Sequence, residues 1–170
     1  MKNIFIVLSI ICAINVNVSK AQEMRKGMSL FNAGMGIFPG WGINASYDFG
    51  LVDSWGPGIF TIGCYVGYGN WTKSELVKPS NTKFDYRVSA FAFAPRATYR
   101  YAVNSSFEIY GTVMFGATAY SYSEFYNNES GNFFAVTAGC RYSLFNSNFA
   151  VFAEIGNLVS YLNGGLSYSF

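Results

Sequence analysis

Six charged side chains define what chemistry this sequence has to offer. Asp48, Glu108 and Glu154 supply carboxylates, and Arg96, Arg100 and Arg141 supply guanidinium groups, each inside an otherwise apolar, alternating stretch. A carboxylate in such surroundings can serve as a general acid or base, and arginines can hold an anion. The usual partners for catalysis are missing. The 170 residues contain no histidine, which removes the common serine and cysteine triads and every histidine metal site. Glu124 and Glu129 sit in a flexible-looking polar stretch, and the 18 glycines form no phosphate-binding motif. These residue types point away from an enzyme, and neither a cofactor nor a metal is expected. Buried charge is costly unless it is paired. Three anions against three cations therefore predict a neutral network, with a polar conduit or an anion site as the sharper alternative.

The six charges share one face of alternating segments. Eight such segments can be read, at about 28–38, 42–50, 59–69, 87–101, 107–120, 133–145 and 149–156, and in the closing stretch to Phe170. The third is representative: Phe60, Ile62, Cys64, Val66 and Tyr68 point one way, and Thr61, Gly63, Tyr65 and Gly67 the other. Period-2 alternation is the pattern of a strand with one oily and one polar face.

Composition says which face meets which medium. The chain is 51% hydrophobic and 19% aromatic but only 12% charged, against about 25% charged in typical soluble domains. No stretch after the first residues approaches a membrane-spanning helix. The expected fold is all-β, an eight-stranded antiparallel up-and-down transmembrane β-barrel with lipid outside and the charges in the lumen, because open sheet edges are not tolerated in hydrocarbon. Eight strands leave a lumen that side chains can fill. The inverse arrangement, a soluble lipocalin-like barrel, would not place arginines and glutamates on the inner face.

Hairpin geometry predicts two ion pairs. Around a turn near 104, Arg100 falls about opposite Glu108, and around a turn near 147, Arg141 falls close to Glu154. Pro95 predicts a bulge or local irregularity, since it cannot donate to a ladder. Cys64 and Cys140 face outward on non-neighbouring strands and are expected to be free, buried thiols.

Residues 1–21 read as a secretory signal peptide, with Lys2, an apolar run from Ile4 to Ile14, and small residues at Ser19-Lys20-Ala21. The barrel domain is then 22–170. The 11 Lys and Arg exceed the 9 Asp and Glu only through Lys2 and Lys20. Without them the charges balance, and no basic face for nucleic acid remains. The polar stretches 70–86 and 121–132 are expected as external loops that contact an external ligand, with Trp71, Phe125 and Tyr126 as candidate recognition residues. Short turns near 104 and 147 would face the periplasm.

The ending carries a further pattern. Asn163, Gly165, Tyr168 and Phe170 stand at polar-x-Gly-x-x-aromatic-x-aromatic spacing. With the runs 149–156 and 160–170, this resembles small bacterial outer-membrane barrels of the OmpX and OmpA-transmembrane type. The resemblance implies a Gram-negative cell outer membrane, with outer-membrane lipid and lipopolysaccharide as partners of the wall. It also implies a barrel-assembly machinery that reads those four residues. A monomer with a structural or surface-interaction role and a polar, plugged lumen is expected. The second reading is a narrow pore or small-solute or lipid carrier.

Overall fold

A computed structural model describes residues 25–52, 57–77, 82–123, 129–144 and 147–170. Eight strands follow in order: β1 Ser29–Ile37, β2 Trp41–Val52, β3 Ile59–Val77, β4 Thr82–Ala102, β5 Phe107–Tyr122, β6 Glu129–Ser143, β7 Phe149–Gly156 and β8 Leu162–Ser169. Each pairs antiparallel with its sequence neighbour, and β8 returns to β1 to close an up-and-down barrel. The seam runs in register from Leu30↔Ser169 to Ile37↔Leu162. Ser29 and Phe170 extend it by exchanging both backbone hydrogen bonds, at 2.8 and 2.9 Å.

The alternation read from the sequence is the alternation observed. On β4, Phe91 and Phe93 are exposed while Ala90, Ala92, Ala94, Arg96, Thr98 and Arg100 are buried. Phe115, Phe134 and Ile155 are about 60% exposed, whereas Asp48, Thr61 and Thr98 are fully buried. The large apolar groups thus coat the outside and the polar groups line the inside.

Four local expectations are refined or overturned. The stretch 70–86 is not a solvated loop. The β3–β4 ladder continues through Trp71↔Val88 up to Val77↔Thr82, and 78–81 lies outside the described residues. Its polar composition reflects a solvated hairpin, in which Thr72, Lys73 and Ser74 are exposed on both faces of β3. Lys83, Asp85 and Arg87 are exposed, while Tyr86 and Val88 between and beside them are buried. The stretch 121–132 is likewise strand at both ends, with 124–128 outside the described residues. Pro95 brings the expected local irregularity but no bulge. The β4–β5 register is the same at Phe93↔Ala117 and Arg96↔Met114, with a gap in the ladder at Ala94 and Pro95. The register shift falls instead at Gly50/Val52 in β2. Cys64 and Cys140 are free, but Cys64 is exposed on the outer face rather than buried.

Strand lengths are uneven. Beyond Trp41↔Asn70, β3 has no partner in β2, and β6 has none in β7 before Thr137↔Gly156. The four strands β3 to β6 therefore rise past the rest as a wall. At that end the β7–β8 turn folds inward and buries Leu158 and Ser160. Glycines make the room. A Cβ at Gly36 or Gly42 would collide with Ser160, and one at Gly69 with Val159.

Candidate functional site: the lumen

The six charges meet inside the barrel and form one alternating series. Glu154 Oε2 lies 3.8 Å from Arg96 Nη2, and Arg96 Nε lies 3.1 Å from Asp48 Oδ1. Asp48 Oδ2 accepts from Arg100 Nη2 at 2.7 Å, and Arg100 Nη1 donates to Glu108 Oε1 at 2.6 Å. Glu108 Oε2 lies 3.6 Å from Arg141 Nη1. Each of the four inner members thus has two neighbours of opposite sign. The Arg96–Asp48 contact is close but off the hydrogen-bond line, so it counts as charge attraction alone.

The ends of the series are capped by neutral groups. Tyr110 donates its hydroxyl to Glu154 at 3.1 Å, and the Arg100 guanidinium lies 4.7 Å above the centre of the Tyr110 ring, a cation–π distance. Arg141 donates from Nε to Ser167 at 3.1 Å and from Nη2 to Ser169 at 2.6 Å. Arg96 also reaches Thr112 at 3.2 Å, and Thr112 shares a hydrogen bond with Thr98. Among the described residues, the Arg100 Nε and Thr137 Oγ1 atoms are buried without a hydrogen-bond partner.

The predicted Arg100–Glu108 pair is present, as a diagonal contact because Tyr110 stands opposite Arg100 and Ala102 opposite Glu108, and the predicted Arg141–Glu154 pair is not. In the β6–β7 ladder Glu154 stands opposite Gly139, and Arg141 stands opposite Phe152. Arg141 turns to the serines of β8, while Glu154 crosses to Arg96 and Tyr110.

Glycines explain how charges on non-adjacent strands meet. In register, Asp48 and Arg96 flank Gly63 of β3, and Tyr110 and Glu154 flank Gly139 of β6. A Cβ at Gly63 would strike the Tyr47 carbonyl, and one at Gly139 would strike the Tyr110 ring. The intervening strand contributes no side chain, so its neighbours reach across it.

Above this series the lumen turns apolar. Tyr65, Ala92, Ala94, Met114, Ala135 and Leu158 form one buried cluster, with Phe133 and Val159 packed against it. At the other end Leu30 and Ile59 pack with Met28. The charges are therefore confined to the lower part of the lumen, while the upper part mixes this apolar cluster with uncharged polar groups such as Thr118, Ser160 and Asn163. Over the apolar cluster lies a cleft of about 190 Å³ bordered by Pro39, Trp71 and Tyr161. Trp71 thus stands at the barrel mouth on β3 rather than in a loop. Phe125 and Tyr126 lie outside the described residues.

The four residues of the terminal pattern serve the seam. Asn163 is buried, donates to the Ser160 carbonyl at 2.8 Å and accepts from Asn44 at 2.9 Å. A Cβ at Gly165 would strike the Ala33 carbonyl on β1. Tyr168 faces outward with its ring 4.9 Å from that of Phe149 and 5.9 Å from that of Phe170.

No family model and no curated protein matches the chain. Solved structures do. The N-terminal β-barrel domain of Pseudomonas aeruginosa OprF is similar at 13% identity and a TM-score of 0.60, covering 86% of this chain and 100% of that one. A de novo designed transmembrane β-barrel is similar at 15% identity and 0.53, covering 88% and 100%. Ail, the attachment invasion locus protein of Yersinia pestis, is similar at 15% identity and a TM-score of 0.45, covering 88% and 100%. The first two carry the fold, which is that of small eight-stranded transmembrane barrels.

Proposed function

We propose that this chain is an integral outer-membrane barrel that makes surface contacts through its raised wall. The observation that carries this reading is the rise of β3 to β6 beyond the other strands. That wall has solvated side chains at Lys73, Ser74, Lys83, Asp85 and Arg87. It ends in two strand edges with no neighbouring strand among the described residues. Unpaired edges are where an extended partner segment adds. One edge is partly closed, since Asn157 accepts from Val136 N at 2.7 Å and donates to Phe134 O at 3.0 Å.

The belt of exposed aromatic and aliphatic residues supports placement in lipid. The stretch 1–21 is read as the leader removed on export. Asn163, Gly165, Tyr168 and Phe170 are read as the signal to the assembly machinery, and lipid and lipopolysaccharide as the wall's partners. The paired lumen charges and the inward turn at Leu158 support a closed barrel over the narrow-pore reading. Photocrosslinkers at Ser74 and Ser130 on intact cells test the contact role. Adducts are expected from both, and none from Ser105 at the opposite end. Silence at both wall positions, with the protein intact in the outer-membrane fraction, would end this reading.

A further inference from the structure

We propose that the cleft in the raised mouth of the lumen binds a small amphipathic aromatic molecule, of one or two fused rings with a hydroxyl or N–H at its edge. Its volume of about 190 Å³ is slightly above the roughly 150 Å³ of an apolar cavity that takes benzene. Its floor is buried and apolar, made by Ala90, Ala92 and Leu158. Its sides are aromatic, from Trp71, Tyr120, Phe133 and Tyr161. Flat aliphatic floor and ring-faced sides favour a planar apolar body, since aromatic pairs gain beyond the area they bury.

The polar groups of the lining are few. Thr118 adds a hydroxyl to the lining, and Tyr120 and Tyr161 add theirs. The Asn157 amide is already committed to the β6 backbone. A sugar, which needs many hydrogen bonds to replace those of water, would meet Ala90, Ala92, Leu158 and Val159 without a partner. The cleft is also a dead end. Leu158 is buried with Tyr65, Ala94, Met114 and Ala135 beneath it, so a molecule seated there is held rather than passed through.

The β7–β8 turn makes this site. Were Leu158 and Val159 outside the lumen, the cleft would lose its floor and one side. Gly36, Gly42 and Gly69 admit that turn, so the site follows from glycines on three strands that do not themselves line it.

The test is a titration of the purified full barrel in lipid nanodiscs with indole, watched by NMR at the Trp71 side chain and at the Tyr120 and Phe133 amides. Glucose serves as the contrasting probe. Saturable shifts with indole and none with glucose are expected. Ala92→Met should fill the floor and weaken binding by about tenfold or more. Should that variant not fold, Trp71→Ala at the rim is expected to weaken binding to a similar degree. Shifts that grow linearly and spread over outward residues such as Phe93 would mean partition into lipid and would overturn the proposal, as would full binding by both variants. Binding by the purified protein does not depend on which way the mouth faces. Approach from outside the cell does rest on the orientation proposed above. A membrane-impermeant indole derivative on intact cells tests that part separately.

Discussion

Asp48 and Arg96 hold an ion contact of 3.1 Å across a strand whose residue between them is Gly63. Two charges two strands apart meet because the middle position has no side chain. The series from Glu154 to Arg141 depends on that gap as much as on its own members. A Gly63→Val substitution should therefore act on charges it does not replace. Its Cβ meets the Tyr47 carbonyl, and a loss of about 3 kcal/mol or more is expected. Urea-driven unfolding in micelles, read by the shift between folded and unfolded bands, checks this. Unfolding at the parent midpoint would refute the spacer role.

Arg100 should be the costliest member to remove. It serves Asp48 and Glu108 together, so Arg100→Ala leaves two buried carboxylates short of a partner, at about 3–5 kcal/mol. Arg141→Ala should cost less, because its strongest bonds go to Ser167 and Ser169 and its charge contact with Glu108 is 3.6 Å. Equal losses in a matched unfolding series would contradict the order.

A double-mutant cycle between Arg141 and Glu154, which share the series without touching, should give a small coupling energy, at the low end of about 0.5–3 kcal/mol. The cycle between Arg100 and Glu108 should exceed it clearly. The side chains of the first pair turn to different partners, although they sit on adjacent strands.

Gly165→Ala tests the seam. Its methyl group would meet the Ala33 carbonyl of β1, so refolding yield into liposomes should fall while early strand formation continues. A normal yield of heat-modifiable barrel would show that β1 and β8 have slack there.

Leu158→Ala removes the centre of the upper apolar cluster. Burial in that cluster predicts a loss of about 2–5 kcal/mol. Conductance in planar bilayers should stay at background, because the charged series below is untouched. Stable single-channel openings in this variant would point to Leu158 as the main barrier.

Much of this was legible from parity alone. The inward set Thr61, Gly63, Tyr65 and the outward set Ile62, Cys64, Val66 follow from period 2, and Arg100–Glu108 follows from one tight turn. What escaped was contact across strands. Arg141 finds Ser167 and Ser169 over an intervening strand, and no hairpin rule reaches that far. The wall was missed because Lys83, Asp85 and Arg87 read as a loop, although Tyr86 and Val88 alternate with them. The inward turn at Leu158 left a trace in Gly36, Gly42 and Gly69, but one visible only once those strands lie side by side.

The uneven strand lengths bear on reach. Trp71 to Val77 continues β3 past its last β2 partner, roughly 23 Å of chain at about 3.3 Å per residue. A bilayer's headgroup layer adds only about 5–8 Å on each side of its hydrocarbon. One flank of the barrel mouth is therefore a mast and the other is low rail. A particle drifting in along the membrane plane meets an obstacle or an open approach, depending on how the barrel happens to be turned about its axis.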